Sequence, residues 1–93
     1  MSLEDWRMKI DQIDEQLVKL LNERSRCAIE IGKIKRAQNL ALYSPEREHE
    51  ILRRVKQVNG GPLDDEAIRR LFERIMDESR RVERLAAQLD ISK

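Results

Sequence analysis

The sequence contains few of the residues that build covalent or metal-held structures. Among its 93 residues there is one cysteine, Cys27, which excludes a disulfide within the chain, and one histidine, His49, so a zinc site made of Cys and His would lack ligands. No apolar run approaches the ~20 residues of a membrane span, and the first nine residues lack the apolar core of a signal peptide. These absences predict a soluble, cytoplasmic protein without a bound metal.

An excess of charge of one sign is also absent. Lys and Arg number 19, and Asp and Glu number 18, so the net charge is +1 although 40% of the residues are charged. This balance argues against a nucleic-acid partner or an anionic membrane surface. Aromatic residues make up 3%, which predicts a thin core that would gain from a partner chain. At this length the chain, residues 1–93, is expected to form a single domain.

Helix-breaking residues are sparse and fall in two clusters. Pro45 follows Ser44, and Gly60, Gly61 and Pro62 stand together. Between these clusters the apolar residues recur at spacings of three and four, and no sustained alternation is present. The pattern predicts an all-α fold with three helices per chain.

The helix boundaries follow from capping residues. The first helix is predicted to run from about residue 3 to residue 35 or 38. The second should have Ser44 as its N-cap and Pro45 as its first residue, and it should stop before the glycine pair at 60–61. The third should be capped by Asp64 or Asp65 and reach about residue 89.

The first helix is predicted to be much longer than the second. At 1.5 Å per residue the two are ~50 Å and ~20 Å long. The apolar residues of the first helix fall on one heptad seam, which comprises Leu3, Trp6, Ile10, Ile13, Leu17, Leu20, Cys27, Ile31 and Ile34. Because the second helix is too short to cover this seam, part of it must be buried by another molecule. The sequence therefore predicts an intertwined homodimer.

Arg24 interrupts this seam. It takes the position that Ile10, Leu17 and Ile31 fill elsewhere, so a guanidinium points where an aliphatic side chain belongs. A buried charge is costly unless it is paired, so Arg24 needs an anionic partner. That partner is either a ligand or an acid on another helix in a structural salt bridge.

Lys35 lies on nearly the same face of the first helix as Arg24, eleven residues later and ~16 Å along the axis. Two small residues, Ala28 and Gly32, lie between them. This arrangement predicts a floor of small side chains with a cation at each end. For Lys35 alone, a solvated helix end is the simpler interpretation.

The other two helices also carry polar residues on their apolar faces. Arg47 and Glu48 begin that face in the second helix, and Ser79 and Glu83 continue the apolar row of the third. If the faces meet, the bundle contains a mostly cationic pocket, which would suit a small anion with two or more acceptors. Its predicted residues are Arg24, Lys35, Arg47, Glu48, Ser79 and Glu83. The arginine pairs at 53–54, 69–70 and 80–81 are predicted to be ordinary exposed surface.

Several segments of the chain resemble the all-helical chorismate mutases. Residues 10–14 (IDQID), 20–24 (LLNER) and 31–35 (IGKIK) are similar to the first helix of that family, residues 45–48 (PERE) to the start of its second, and residues 71–79 to its third. The resemblance covers nearly the whole chain. It implies a domain-swapped homodimer of three-helix protomers with two equivalent active sites.

The resemblance also implies an activity. The family rearranges chorismate, a dicarboxylate, to prephenate in aromatic amino-acid biosynthesis, by a unimolecular Claisen reaction in which an ether oxygen gains negative charge. Such chemistry needs no nucleophile, metal or cofactor. A protein contributes by selecting a compact conformer of the substrate and by placing cations where charge develops.

The resemblance assigns roles to four charged residues. Arg24 and Arg7 would clamp the two carboxylates of the substrate, Lys35 would donate to the ether oxygen and to a carboxylate, and Glu48 would accept from the ring hydroxyl. Arg7 lies ~25 Å along the helix from Arg24, so the two cannot reach one small ligand within a single chain. Arg7 is therefore expected to come from the partner subunit.

Four further residues complete the implied site. Arg47 would order the edge of the second helix, and Ser79 would lie beside a carboxylate. Ser44 stands where many family members have an aspartate near the hydroxyl group, and it is also the predicted N-cap. Glu83 stands where many have a glutamine that donates to the ether oxygen. A glutamate can donate there only when it is protonated, because the ionised form would repel the developing charge.

Two alternatives remain at this stage. One is a lyase of the same fold that removes pyruvate from isochorismate, since the same cations would stabilise a related transition state. The other is a non-catalytic helical dimer that serves as a regulatory module. The lyase differs from the mutase in its substrate, and the regulatory dimer would tolerate loss of Lys35.

Overall fold

Three helices form the part of the chain whose backbone the structure describes. The computed structural model describes the backbone of residues 1–92 and the side chains of residues 1–89. Helix α1 spans Leu3–Ala37, α2 spans Pro45–Val58 and α3 spans Asp65–Ser92. No strand occurs within this described part of the chain. The prediction of an all-α fold with a long first helix is confirmed, and α1 ends between the two predicted positions.

Side-chain caps define where α2 and α3 begin. The Ser44 hydroxyl oxygen accepts a hydrogen bond from the backbone N–H of Arg47 at 3.3 Å, and Pro45 occupies the first helical position. For α3, the Asp64 carboxylate accepts from the backbone N–H of Ala67 at 2.7 Å, so Asp64 is the cap. Each such cap contributes about 1 kcal/mol to helix stability. The caps fix the register of the faces that α2 and α3 present to the bundle.

Helix α3 packs against both other helices. The chain measures 53 × 30 × 14 Å along its principal axes, so it is a thin layer rather than a rounded bundle. The longest dimension matches a 35-residue helix at 1.5 Å per residue. Helix α3, which contacts both α1 and α2, is therefore the element that can bring together the functional residues predicted on three helices.

Few side chains are buried in the single chain. Among the described residues the buried ones are Ala28, Gly32, Met76 and Glu83, all at the junction of α1 and α3. The N-terminal part of the α1 seam is exposed, and its large side chains are Leu3, Trp6, Ile10, Ile13, Leu17 and Leu20. We call these six residues the α1 stripe. None of the helices in the described part of the chain is long and apolar enough to cross a membrane.

Candidate active site

A cavity of about 270 Å³ lies where the three helices meet. Its walls include apolar side chains, among them Ile31, Leu42, Ile51 and Met76. Seven of the eight residues predicted for the site line this same cavity: Arg24, Lys35, Ser44, Arg47, Glu48, Ser79 and Glu83. The structure thus brings together polar residues that are up to 59 positions apart in the sequence.

Arg24 is held by α3. Its guanidinium Nη1 donates a hydrogen bond to Ser79 Oγ at 2.6 Å, and Ser79 Oγ in turn donates to the backbone carbonyl of Ile75 at 3.0 Å. Because the single hydroxyl proton is used in the bond to Ile75, the serine acts as an acceptor that orients Arg24. A guanidinium has five N–H donors, so others remain for an anion.

Lys35 is held by the loop between α1 and α2. Its Nζ donates to the backbone carbonyl of Leu42 at 2.8 Å, and the side chain is partly buried. An ammonium group has three donors, so two remain after this bond. Between Arg24 and Lys35 the helix presents Ala28 and Gly32, both buried, and a Cβ placed on Gly32 would lie 3.6 Å from the Cβ of Glu83. The predicted floor of small residues is where α3 approaches α1.

Three residues at the start of α2 reach the cavity in different ways. Ser44 uses its hydroxyl as the helix cap. Arg47 extends toward solvent, with 59% of its side chain exposed, and its Nη1 donates to Glu50 at 2.9 Å. Glu48 is more enclosed, with 23% of its side chain exposed, and forms an ion pair with α3 through Arg80. Of the three, Glu48 is the residue that the bundle holds most firmly at the cavity.

Among residues 1–89, Glu83 is the most enclosed ionisable group, with 7% of the residue exposed. Its Oε2 atom is buried and has no hydrogen-bond partner among the described residues. Burial raises the pKa of Glu83 above the usual glutamate value, although Lys35, Arg80, Arg24 and Arg36 act against this rise. A carboxyl with a raised pKa and an unsatisfied oxygen can hold a proton and offer it to a ligand.

The prediction that the arginine pairs at 53–54, 69–70 and 80–81 are exposed is wrong for Arg69 and Arg80, which are both partly buried. Arg80 has 26% of its side chain exposed, and it lines the cavity. Its guanidinium donates to Glu48 and Asp77, and lies 5.3 Å from the centre of the Tyr43 ring. Arg80 is four residues after Met76 and three before Glu83, so the same helical spacing that identified the inner face of α3 could have identified it.

Arg7 is the predicted site residue that does not line the cavity. It lies near the start of α1 and donates to Glu4 at 3.1 Å, with both side chains exposed. Arg7 and Arg24 lie on the same continuous helix, ~25 Å apart along its axis at 1.5 Å per residue. Within one chain, Arg7 and the cavity are therefore separate.

The cavity favours a small anion. Four cationic side chains line it, Arg24, Lys35, Arg47 and Arg80, against the two carboxyls of Glu48 and Glu83. Apolar walls lower the effective dielectric constant, so these charges act strongly on a ligand that displaces water. In the described part of the chain no group of three or more His, Cys, Asp or Glu side chains could hold a metal ion. The arrangement offers electrostatic stabilisation and hydrogen bonding at several points.

Comparisons with known proteins identify relatives across nearly the whole chain. The family described as "Chorismate mutase type II" matches residues 6–84. A bifunctional chorismate mutase/prephenate dehydratase of Neisseria gonorrhoeae is 47% identical over 78 residues, which are 84% of this chain and 21% of that protein. The chain spans about a fifth of the length of the curated relatives it matches.

Solved structures are similar over nearly their full length. A chorismate mutase of Thermus thermophilus (form II) superposes with a TM-score of 0.87 at 35% identity, covering 88% of this chain and 93% of that one. A chorismate mutase of Helicobacter pylori in complex with prephenate gives 0.85 at 34% identity, covering 92% and 93%. At these identities the likeness extends to sequence as well as fold.

Proposed function

Because the chain belongs to the chorismate mutase type II family, we propose that it converts chorismate to prephenate in aromatic amino-acid biosynthesis. One observation carries the proposal: a single cavity is lined by four cationic side chains and by the buried Glu83, whose Oε2 has no hydrogen-bond partner among the described residues. That combination suits a dicarboxylate whose reaction moves negative charge onto an ether oxygen. The relative from Helicobacter pylori was solved with prephenate.

The bond-breaking step would be assisted by Lys35 and Glu83. As the ether bond breaks, its oxygen gains negative charge, and donors fixed in advance stabilise it without reorganisation. Lys35 has two donors left after its bond to Leu42, and a protonated Glu83 supplies one more. No covalent intermediate is required, since the substrate rearranges within itself.

The carboxylates of the substrate would be bound by arginines. Arg24, oriented by Ser79, has free donors toward the cavity and would hold one carboxylate, with Ser79 beside it. Arg47 would order the open edge at α2, where it is half exposed. Glu48 would accept a hydrogen bond from the ring hydroxyl. Ser44, whose hydroxyl caps α2, would lie near this hydroxyl end of the substrate. These contacts select the compact conformer that can react.

The functional unit is proposed to be a homodimer with residues 1–93 as one functional domain. The α1 stripe is exposed in the single chain, and burying such a continuous apolar surface favours association. A second copy packed along α1 would cover the stripe and could bring its own Arg7 to the cavity, where it would hold the second carboxylate. The cytoplasmic location stays a prediction from the sequence.

The direct test is an assay with chorismate. Purified protein should remove chorismate absorbance, and chromatography should identify prephenate as the product, with no added metal or cofactor. A parallel incubation with isochorismate should release little pyruvate. Pyruvate from isochorismate in place of prephenate from chorismate would assign the lyase reaction instead, and turnover of neither substrate would support a non-catalytic dimer.

The rate should depend on pH through Glu83. Its pKa is raised by burial, so the donor is present below that pKa and is lost as the pH rises through it. A bound dianion would raise the pKa further. We therefore expect parent activity to fall as the pH rises within the range of about 5 to 8.5, and Glu83→Gln, which donates without titrating, to give a flatter profile and to exceed the parent at the alkaline end.

A matched control separates this effect from general changes in charge. Glu78 lies on the same helix and is exposed, so Glu78→Gln should follow the parent profile. The measurement is kcat and KM for each variant across the pH range. Identical profiles for the parent and Glu83→Gln would show that Glu83 does not donate to the ether oxygen.

A further inference from the structure

Arg80 joins three parts of the cavity wall. From its place on α3 it donates to the Glu48 carboxylate on α2 and to Asp77 one turn earlier on its own helix. Its guanidinium also lies 5.3 Å from the ring centre of Tyr43, in the loop between α1 and α2. The guanidinium is thus fixed by partners on two helices and one loop.

These contacts restrict the guanidinium more than a surface ion pair would. Glu48 is bound through Nη1 and Asp77 through Nη2, so the planar fork is held at two points. The Tyr43 ring adds a cation–π contact to the guanidinium. The hydrogen bond to Glu48 is the main cause that raises the pKa of Arg80, so the group stays charged. By contrast, the neighbouring Arg81 has 64% of its side chain exposed, and its Nη1 lies 3.7 Å from Glu78 Oε2.

The partner of Arg80 that matters for chemistry is Glu48. With Oε2 bound to the guanidinium, the Glu48 carboxylate is restrained at the cavity and keeps acceptor capacity for a hydroxyl group. The Tyr43 contact acts on the same loop whose Leu42 carbonyl accepts from Lys35. Arg80 thus binds the Glu48 carboxylate directly, whereas Lys35 is held by the loop backbone and not by Arg80.

We propose that Arg80 is a positioning residue for the rearrangement: it holds Glu48 where that carboxylate receives the ring hydroxyl of the substrate. The inference rests on the proposed function, because the role of Glu48 does. Arg80 acts through Glu48, so its contribution depends on Glu48 being present. Outer groups that orient the ligands of a metal ion typically contribute a factor of about 10 to 100, and we expect a factor of that order for Arg80.

The test is a double-mutant cycle measured as kcat/KM with chorismate. Arg80→Ala should lower kcat/KM about tenfold or more, and in a Glu48→Ala background the same change should cost less than about threefold. Arg80→Lys keeps one donor for Glu48 and should stay within about fivefold of the parent. Arg81→Ala, which removes an equal charge one residue away, should stay within about twofold.

The outcomes separate the inference from the proposed function. Failure of the parent to form prephenate overturns both. If the parent is active and Glu48→Ala is impaired, an Arg80→Ala variant within about twofold of the parent overturns the inference alone, as does an equal loss with and without Glu48. Circular dichroism establishes that each variant is helical. Should Arg80→Ala not fold, Arg80→Met, which also lacks a donor for Glu48, replaces it in both backgrounds with the same criteria.

Discussion

Replacing Lys35 with alanine should reduce kcat by a factor of about 100 or more while the protein stays folded. Lys35 is the cation whose ammonium group is fixed by the Leu42 carbonyl and still has two donors for the substrate. A fixed donor stabilises the developing negative charge without reorganisation. A water molecule in its place would first have to reorient, so the rate falls by this factor. The measurement is kcat with chorismate, together with circular dichroism of the variant.

Lys33→Ala is the matched control. Lys33 lies two residues earlier on the same helix, is half exposed and donates to Glu30 at 3.2 Å. Its removal changes the net charge by the same amount but leaves the cavity untouched, so kcat should stay within about twofold of the parent. A Lys35→Ala variant with kcat within a few-fold of the parent would show that Lys35 is not a catalytic residue.

Mixing Arg7→Ala subunits with Arg24→Ala subunits should restore activity that neither variant has alone. In the proposed dimer each site takes Arg24 from one chain and Arg7 from the other. A mixed dimer then has one site with both changes and one site that is intact. Random exchange makes about half of the dimers mixed, so about a quarter of the sites, and of the parent activity, should return.

The control mixture uses two residues that one subunit contributes to the same site. Arg24→Ala mixed with Lys35→Ala leaves each site of the mixed dimer with one change, so no activity should return. Subunits are exchanged by unfolding and refolding the two variants together, and mixed dimers are verified by differential tags. Verified mixed dimers of Arg7→Ala and Arg24→Ala without recovery would show that Arg7 does not act across an interface.

The helices and most of the cavity wall could be predicted because they depend on local patterns. Ser44 and Pro45 determine where α2 starts, the first through its side-chain cap and the second through its fixed φ angle. The place of Arg24 on the apolar seam of α1 depends only on the helical repeat. Seven predicted polar residues line one cavity for that reason. This periodicity identifies the helix face on which a residue lies. Polar residues on the apolar faces of three helices come together when those faces pack against one another.

Contacts between elements could not be predicted in the same way. The bond from Lys35 to the Leu42 carbonyl depends on the path of the loop between α1 and α2, and the hydrogen bond that Ser79 donates to Ile75 depends on a rotamer. Arg80 was missed because two adjacent arginines beside acids are typical of solvated surface, although its spacing from Met76 matched the inner face. At Arg80 the helical periodicity, and not the local composition, indicates the face on which the side chain lies.

The chain is 14 Å thick along its shortest axis, which affects the source of its folding stability. A layer this thin has little interior of its own, so covering the α1 stripe with a second copy would supply much of the free energy that keeps the helices folded. Unfolding of the helices would then be coupled to dissociation of the dimer. By mass action, the midpoint temperature of thermal unfolding would rise with protein concentration. Dilution alone would therefore unfold part of the protein, and the activity per chain would fall as its concentration falls.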